Sequence, residues 1–95
     1  MQGMMKQAQA MQEKMQQEIG QIRVEGSAGG GMVIIKMDGH KNMLGVVIDK
    51  EVAGDVEMLQ DMVLAAANDA VKRVDEQVSK KTGAMLGGLG LPGMF

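Results

Sequence analysis

Cysteine, tryptophan and tyrosine are absent from this 95-residue chain, and phenylalanine, histidine and proline occur once each. The lack of cysteine rules out disulfides, thiolate metal sites and sulfur nucleophiles, and it fits a reducing compartment. Any imidazole chemistry would rest on His40 alone. A single aromatic, Phe95, is too few for the stacking platforms that hold single-stranded nucleic acid. Neither charge dominates: 10 basic residues face 12 acidic ones, a net charge of -2, whereas a dedicated nucleic-acid binder is usually strongly basic. The first fifteen residues mix Met with Gln, Lys and Glu, which is not a signal peptide. No run approaches the roughly 20 apolar residues of a membrane span. These absences predict a cytoplasmic protein, not an enzyme, with no cofactor, no metal, no membrane contact and no small-molecule substrate. The length allows one domain with a small core, so a partner chain is expected.

What is abundant is methionine, 12 residues, and glycine, 14. Met4, Ala8, Met11, Met15, Ile19 and Ile22 recur at steps of four and three among Gln, Lys and Glu, which predicts an amphipathic helix with a narrow stripe, ending near Gly20. Such a helix is longer than a small three-stranded sheet is wide, so part of it should project. Arg23-Val24-Glu25 alternates and predicts a short strand over 22–26, followed by a flexible turn through the glycines of 26–31. Met32–Met37 and Met43–Asp49 are apolar, rich in β-branched residues and separated by Asp38-Gly39-His40-Lys41-Asn42, the pattern of a hairpin. Both faces of this sheet read as apolar. Val33, Ile35, Leu44, Val46 and Ile48 are therefore expected to form a dimer interface completed by a second copy. A second long helix starts near Val52 or Asp55 and carries a broad stripe from Val56 to Val78, ending near Lys81. The fold class expected is α+β: long N-terminal helix, three-stranded antiparallel sheet, long C-terminal helix. Residues 1–82 form the domain, and the glycine-rich residues 83–95 form a flexible tail.

No constellation supports catalysis. The glycines of 26–31 lie between strands rather than before a helix, so they read as a turn and not a phosphate loop. Asp38 and His40 are two ligand types on one turn and do not make a metal site. The methionine spacing could suit a soft metal, but core and interface packing demand the same spacing. Lys72, Arg73, Lys80 and Lys81 lie off the apolar stripe of the last helix, as Lys6 and Lys14 do on the first. Such residues form either a solvated charged face or a set of phosphate contacts, and Asp69, Asp75 and Glu76 dilute the second reading.

Met5-Lys6-Gln7-Ala8-Gln9, Met11-Gln12-Glu13-Lys14-Met15, Val24-Glu25-Gly26, Gly39, Val47-Ile48-Asp49, Ala65-Ala66-Ala67-Asn68-Asp69-Ala70 with Arg73, and the ending Gly90-Leu91-Pro92-Gly93-Met94-Phe95 occur in this order. In combination they resemble the YbaB/EbfC family of bacterial nucleoid-associated proteins. The resemblance implies a homodimer whose first and last helices project as arms. It also implies binding of double-stranded DNA with altered DNA conformation, a cytoplasmic place on the nucleoid, and effects on gene expression. Carried over by position, Lys6, Lys14, Lys72, Arg73, Lys80 and Lys81 are the implied DNA contacts. The competing reading is a protein-interaction module in which the stripe of Met4, Met11 and Met15 grips partner helices without acting on DNA.

Overall fold

The computed structural model describes residues 2–88. The elements are α1 (Gln2–Gly20), β1 (Arg23–Ala28), β2 (Val33–Asp38), β3 (Met43–Ile48), α2 (Lys50–Ala53) and α3 (Val56–Gly88), the expected α+β order with a short added helix. α1 owes its form to its run of Gln, Lys, Glu, Met and Ala, all good helix formers. Its stripe meets the rest of the chain only at the foot. Met15, Ile19 and Ile22 are half-buried, whereas Met4 and Met11 remain 76% and 43% exposed. The guanidinium of Arg23 donates to the carbonyls of Gly20 at 2.6 Å and Ile22 at 2.9 Å, satisfying acceptors at the end of the helix.

The three strands form an antiparallel meander in the order β1-β2-β3. β1 continues to Ala28, so Gly26, Ser27 and Ala28 are strand rather than turn, and the reversal is confined to 29–32. The reason lies across the core. A Cβ on Gly26 would fall on the backbone of Ala66 and Ala70, so glycine is what lets α3 lie directly on the strand. The turn itself uses Gly29, Gly30 and Gly31 at φ 64°, 69° and 98°, a left-handed run that side chains resist. β2 pairs with β3 from Val33↔Ile48 to Lys36↔Gly45, then shifts to Met37↔Met43, which makes Leu44 a bulge residue.

α3 crosses one face of β1 and β2. Beneath it, Val33, Ile35, Met37, Ala66, Ala70 and Val74 are buried, with Val24, Ala28, Leu59, Met62, Val63 and Val78 packed around them. Each fully buried Val, Ile or Met contributes about 1.5–3 kcal/mol of transfer free energy, so these few side chains carry much of the fold. The other face carries Arg23, Glu25, Ser27 and Lys36 beside Ile34 and Val47, and is polar rather than apolar. The expectation of a sheet bare on both faces is thereby corrected: the chain's own helix covers one face over β1 and β2, and polar residues share the other face with Ile34, Leu44 and Val47.

Two of the five expected interface residues change role with it. Val33 and Ile35 are 0% exposed within the chain's own core and have no surface left for a partner. Leu44, Val46 and Ile48 remain 50%, 48% and 39% exposed. Val46 and Ile48 pair with Ile35 and Val33, so they lie on the core side of the sheet but on β3, past the strip that α3 covers.

Asp49 caps α2 by accepting from the Glu51 N–H, and Asp55 caps α3 by accepting from the Met58 N–H. α3 runs antiparallel to β1: Met62 lies at Gly29, Ala66 and Ala70 at Gly26, and Asp75 beside Lys41 at the opposite end of the sheet. It continues past Lys81 to Gly88, so residues 83–88 of the expected tail are helical, and the rest of that tail lies outside the described residues. Ala84, Met85 and Leu86 are strong helix formers that let the helix pass Gly83, which costs about 1 kcal/mol relative to Ala, before Gly87 and Gly88 at its end. Strands of six residues span roughly 20 Å and a 33-residue helix roughly 50 Å, so the end of α3 overshoots the sheet. The resulting body measures 62 × 26 × 14 Å. Its radius of gyration, 18.0 Å, exceeds the roughly 13 Å of a compact domain of this length.

Candidate nucleic-acid interface

Two exposed helices leave the sheet at the end that holds the β2–β3 turn. α1 attaches there through Ile19 and Gly20, and α3 passes there at Asp75. The first arm carries Lys6 and Lys14, both exposed two turns apart. The second carries Lys72 and Arg73 over the sheet and Lys80 and Lys81 on the overshooting part; Lys72, Arg73 and Lys80 are exposed and Lys81 is half-buried. The six expected residues are therefore not one patch. They form two rows on two arms fixed at one end of the sheet.

Arg73 is not wholly available. Its Nε donates to Asp69 Oδ2 at 3.1 Å, while its side chain stays 55% exposed. The same Asp69 oxygen accepts the backbone N–H of Ser27 at 3.0 Å, tying the outer edge of β1 to α3. That backbone hydrogen bond, reinforced by Arg73, holds the Asp69 carboxyl below the usual carboxylate range. The helical spacing of Asp69 and Arg73 was visible in the sequence, but the bond to Ser27 joins residues 42 apart and left no local signal. The groove beside β1 gathers Arg23 and Arg73 together with Glu25 and Glu76.

The net charge also resolves by position. Asp49–Asp61 carries five acids and one lysine, at the α2 end of the sheet. Outside that block 9 basic residues face 7 acidic ones: α1 carries two of each, and α3 beyond Asp61 carries four basic and three acidic. An overall charge of -2 thus coexists with a small positive excess away from the α2 end of the sheet.

A second surface is apolar. Val46, Val47 and Ile48 on β3 are exposed, and Val56, Val63 and Leu64 contribute to a shallow apolar groove on the first turns of α3. β3 is also an edge strand, with unpaired backbone groups along its open side. Among the described residues, no helix is long and apolar enough to cross a membrane.

Comparison with known proteins places these features. The model of the YbaB/EbfC DNA-binding family matches residues 1–89. A nucleoid-associated protein of Exiguobacterium sibiricum is 54% identical over 84 residues, covering 86% of this chain and 79% of that protein. One from Koribacter versatilis is 47% identical over 92 residues, covering 95% and 91%. The fold is shared with the crystal structure of an uncharacterized protein from Helicobacter pylori, at a TM-score of 0.76 and 24% identity, over 88% of this chain and 90% of that one. The matches favour a DNA-binding reading over the methionine-grip alternative.

Proposed function

This chain belongs to the YbaB/EbfC DNA-binding family, and on that premise we propose that it is a nucleoid-associated protein that binds double-stranded DNA as a homodimer and alters its conformation. The observation that carries the proposal is membership in a DNA-binding family together with exposed lysines and arginine on both long helices, while the far end of the sheet, Asp49–Asp61, holds five of the twelve acids. Lys6, Lys14, Lys72, Arg73, Lys80 and Lys81 contact phosphates, a mode that positions a protein on the duplex without reading its sequence. Little sequence preference is expected, since contacts to phosphate carry no sequence information.

The homodimer is supported by Val46, Ile48 and the edge of β3, which are apolar, exposed and contiguous with the core. Pairing two copies there buries that surface and presents four arms to one duplex, which lets the dimer hold DNA in a changed path. A place on the nucleoid and an effect on transcription follow from DNA binding of this kind.

Fluorescence anisotropy on duplexes of unrelated sequence tests the reading. Comparable affinities are expected, with Lys72→Glu and Lys80→Glu each weakening binding to all duplexes alike. Strong discrimination between sequences, or charge-reversed variants that bind like the wild type, would overturn it.

A further inference from the structure

The turn from Asp38, the last residue of β2, to Asn42 touches both arms. Asp38 accepts hydrogen bonds from the backbone N–H groups of His40 and Asn42, each at 2.9 Å, and from the Asn42 side chain at 3.2 Å. The turn is wound around this carboxylate, with Lys41 held at φ 66°. In that shape three consecutive residues meet the two helices. Gly39 presses on the foot of α1 so closely that a Cβ would overlap the carbonyl of Ile19. The ring of His40 lies against Gly20, with Nε2 3.3 Å from the Gln16 carbonyl oxygen. Lys41 Nζ lies 3.1 Å from the Asp75 carboxylate on α3.

From this geometry we propose that the Asp38–Asn42 turn is the positioning element that sets the angle between α1 and α3, and with it the span of duplex the arms accept. The proposal rests on the DNA-binding reading above. α3 has its direction fixed by the core, but α1 is exposed from Gly3 to Lys14 and has no comparable packing. Its direction is decided at its foot, by Gly39, His40 and the Arg23 cap. Leverage makes this consequential: a 10° tilt at the foot of a helix about 28 Å long moves its tip by about 5 Å, close to the roughly 6 Å width of the DNA minor groove. The Lys41–Asp75 pair is exposed on both sides and adds little stability. Its effect is directional, since it ties the element holding α1 to α3.

The absence of cysteine makes the test clean. Spin labels on Gln9→Cys and Ser79→Cys of the full chain report the distance between arms by pulsed electron paramagnetic resonance, with labelled protein diluted into an excess of unlabelled protein. Gly39→Ala should shift the mean distance by about 3 Å, the displacement a 10° tilt gives at Gln9, which lies about 16 Å from the foot of α1. It should also change the end-to-end transfer efficiency of a doubly dye-labelled duplex. Lys41→Asp should broaden the distance distribution, and Lys41→Asp with Asp75→Lys should narrow it again. Should Gly39→Ala fail to fold, the Lys41 and Asp75 variants decide alone. Distributions that superimpose on the wild type overturn the proposal, as does a shifted distribution with unchanged DNA geometry. Failure of the wild type to bind DNA overturns the functional reading instead, and the distances still decide what the turn does.

Discussion

Gly26→Ala adds one methyl group at the place where sheet and helix are closest. The added Cβ meets the carbonyl oxygen of Ala66 and the backbone N and Cα of Ala70, none of which can rotate aside. α3 must lift from β1, loosening contacts around Val33, Ile35 and Val74. Overpacking of a core costs about 1–3 kcal/mol, and a collision with main chain belongs at the upper end, about 3 kcal/mol. The gain from removing a glycine from a strand, about 0.5–1 kcal/mol, offsets only part of it. For a domain of this length the net loss of about 2 kcal/mol lowers Tm by roughly 10 °C. Gly45→Ala is the internal control, because a Cβ there meets nothing nearer than Lys36 Cδ at 3.9 Å. Thermal unfolding followed by circular dichroism at one fixed protein concentration compares the two. Gly45→Ala should leave Tm unchanged or raise it slightly. A Gly26→Ala protein as stable as the wild type would refute the reasoning that β1 and α3 are held at glycine distance.

The buried and exposed halves of the core-side sheet face should separate in the same kind of experiment. Ile35→Ala, at a site with no exposure, should cost about 2–5 kcal/mol in urea unfolding, whereas Val46→Asp should halve the mass seen by light scattering while secondary structure is retained. Asp38 is held below the usual carboxylate range by the backbone N–H of Asn42, then by the Asn42 side chain and the His40 N–H. A depressed folded value means that its contribution is complete above the unfolded pKa, near 4, and is lost as pH falls through the folded one. Wild-type stability should therefore decline below about pH 4, and Asp38→Asn should show a shallower decline over that acid range. Asp69 follows the same sign through Ser27 and Arg73, so Asp69→Asn should also flatten the acid limb while weakening the hold of β1 on α3.

Local periodicity made the elements legible. The 3–4 spacing of Met4, Ala8, Met11 and Met15 and the stripe from Val56 to Val78 mark both long helices, and the β-branched runs around Asp38–Asn42 mark the hairpin. Local pattern misleads where distant contacts decide the conformation. Gly26 reads as turn in isolation and becomes strand because Ala66 and Ala70, forty residues on, require a bare Cα opposite them. Val33 and Ile35 read as interface because sequence alternation cannot say how much of a sheet a helix will cover. α3 covers β1 and β2 and leaves β3 at the open edge. At the candidate site, the charged residues and their helices were apparent, but the contacts that place the arms were not. Arg23 at Gly20, His40 at Gln16 and Lys41 at Asp75 follow from the turn geometry, which no spacing encodes.

On the proposed function, an acidic chain holds duplex DNA through the basic residues of its two long helices. The most direct measurement is the dependence of duplex affinity on salt. If the six arm residues of a protomer each neutralise a phosphate, log affinity should fall against log salt with a slope of roughly -5 per engaged protomer. Each charge-removing substitution on an arm should lower the magnitude of that slope by about 1. An affinity indifferent to salt, or a slope unchanged after Lys6, Lys14, Lys72 and Lys80 are all replaced by Gln, would contradict it.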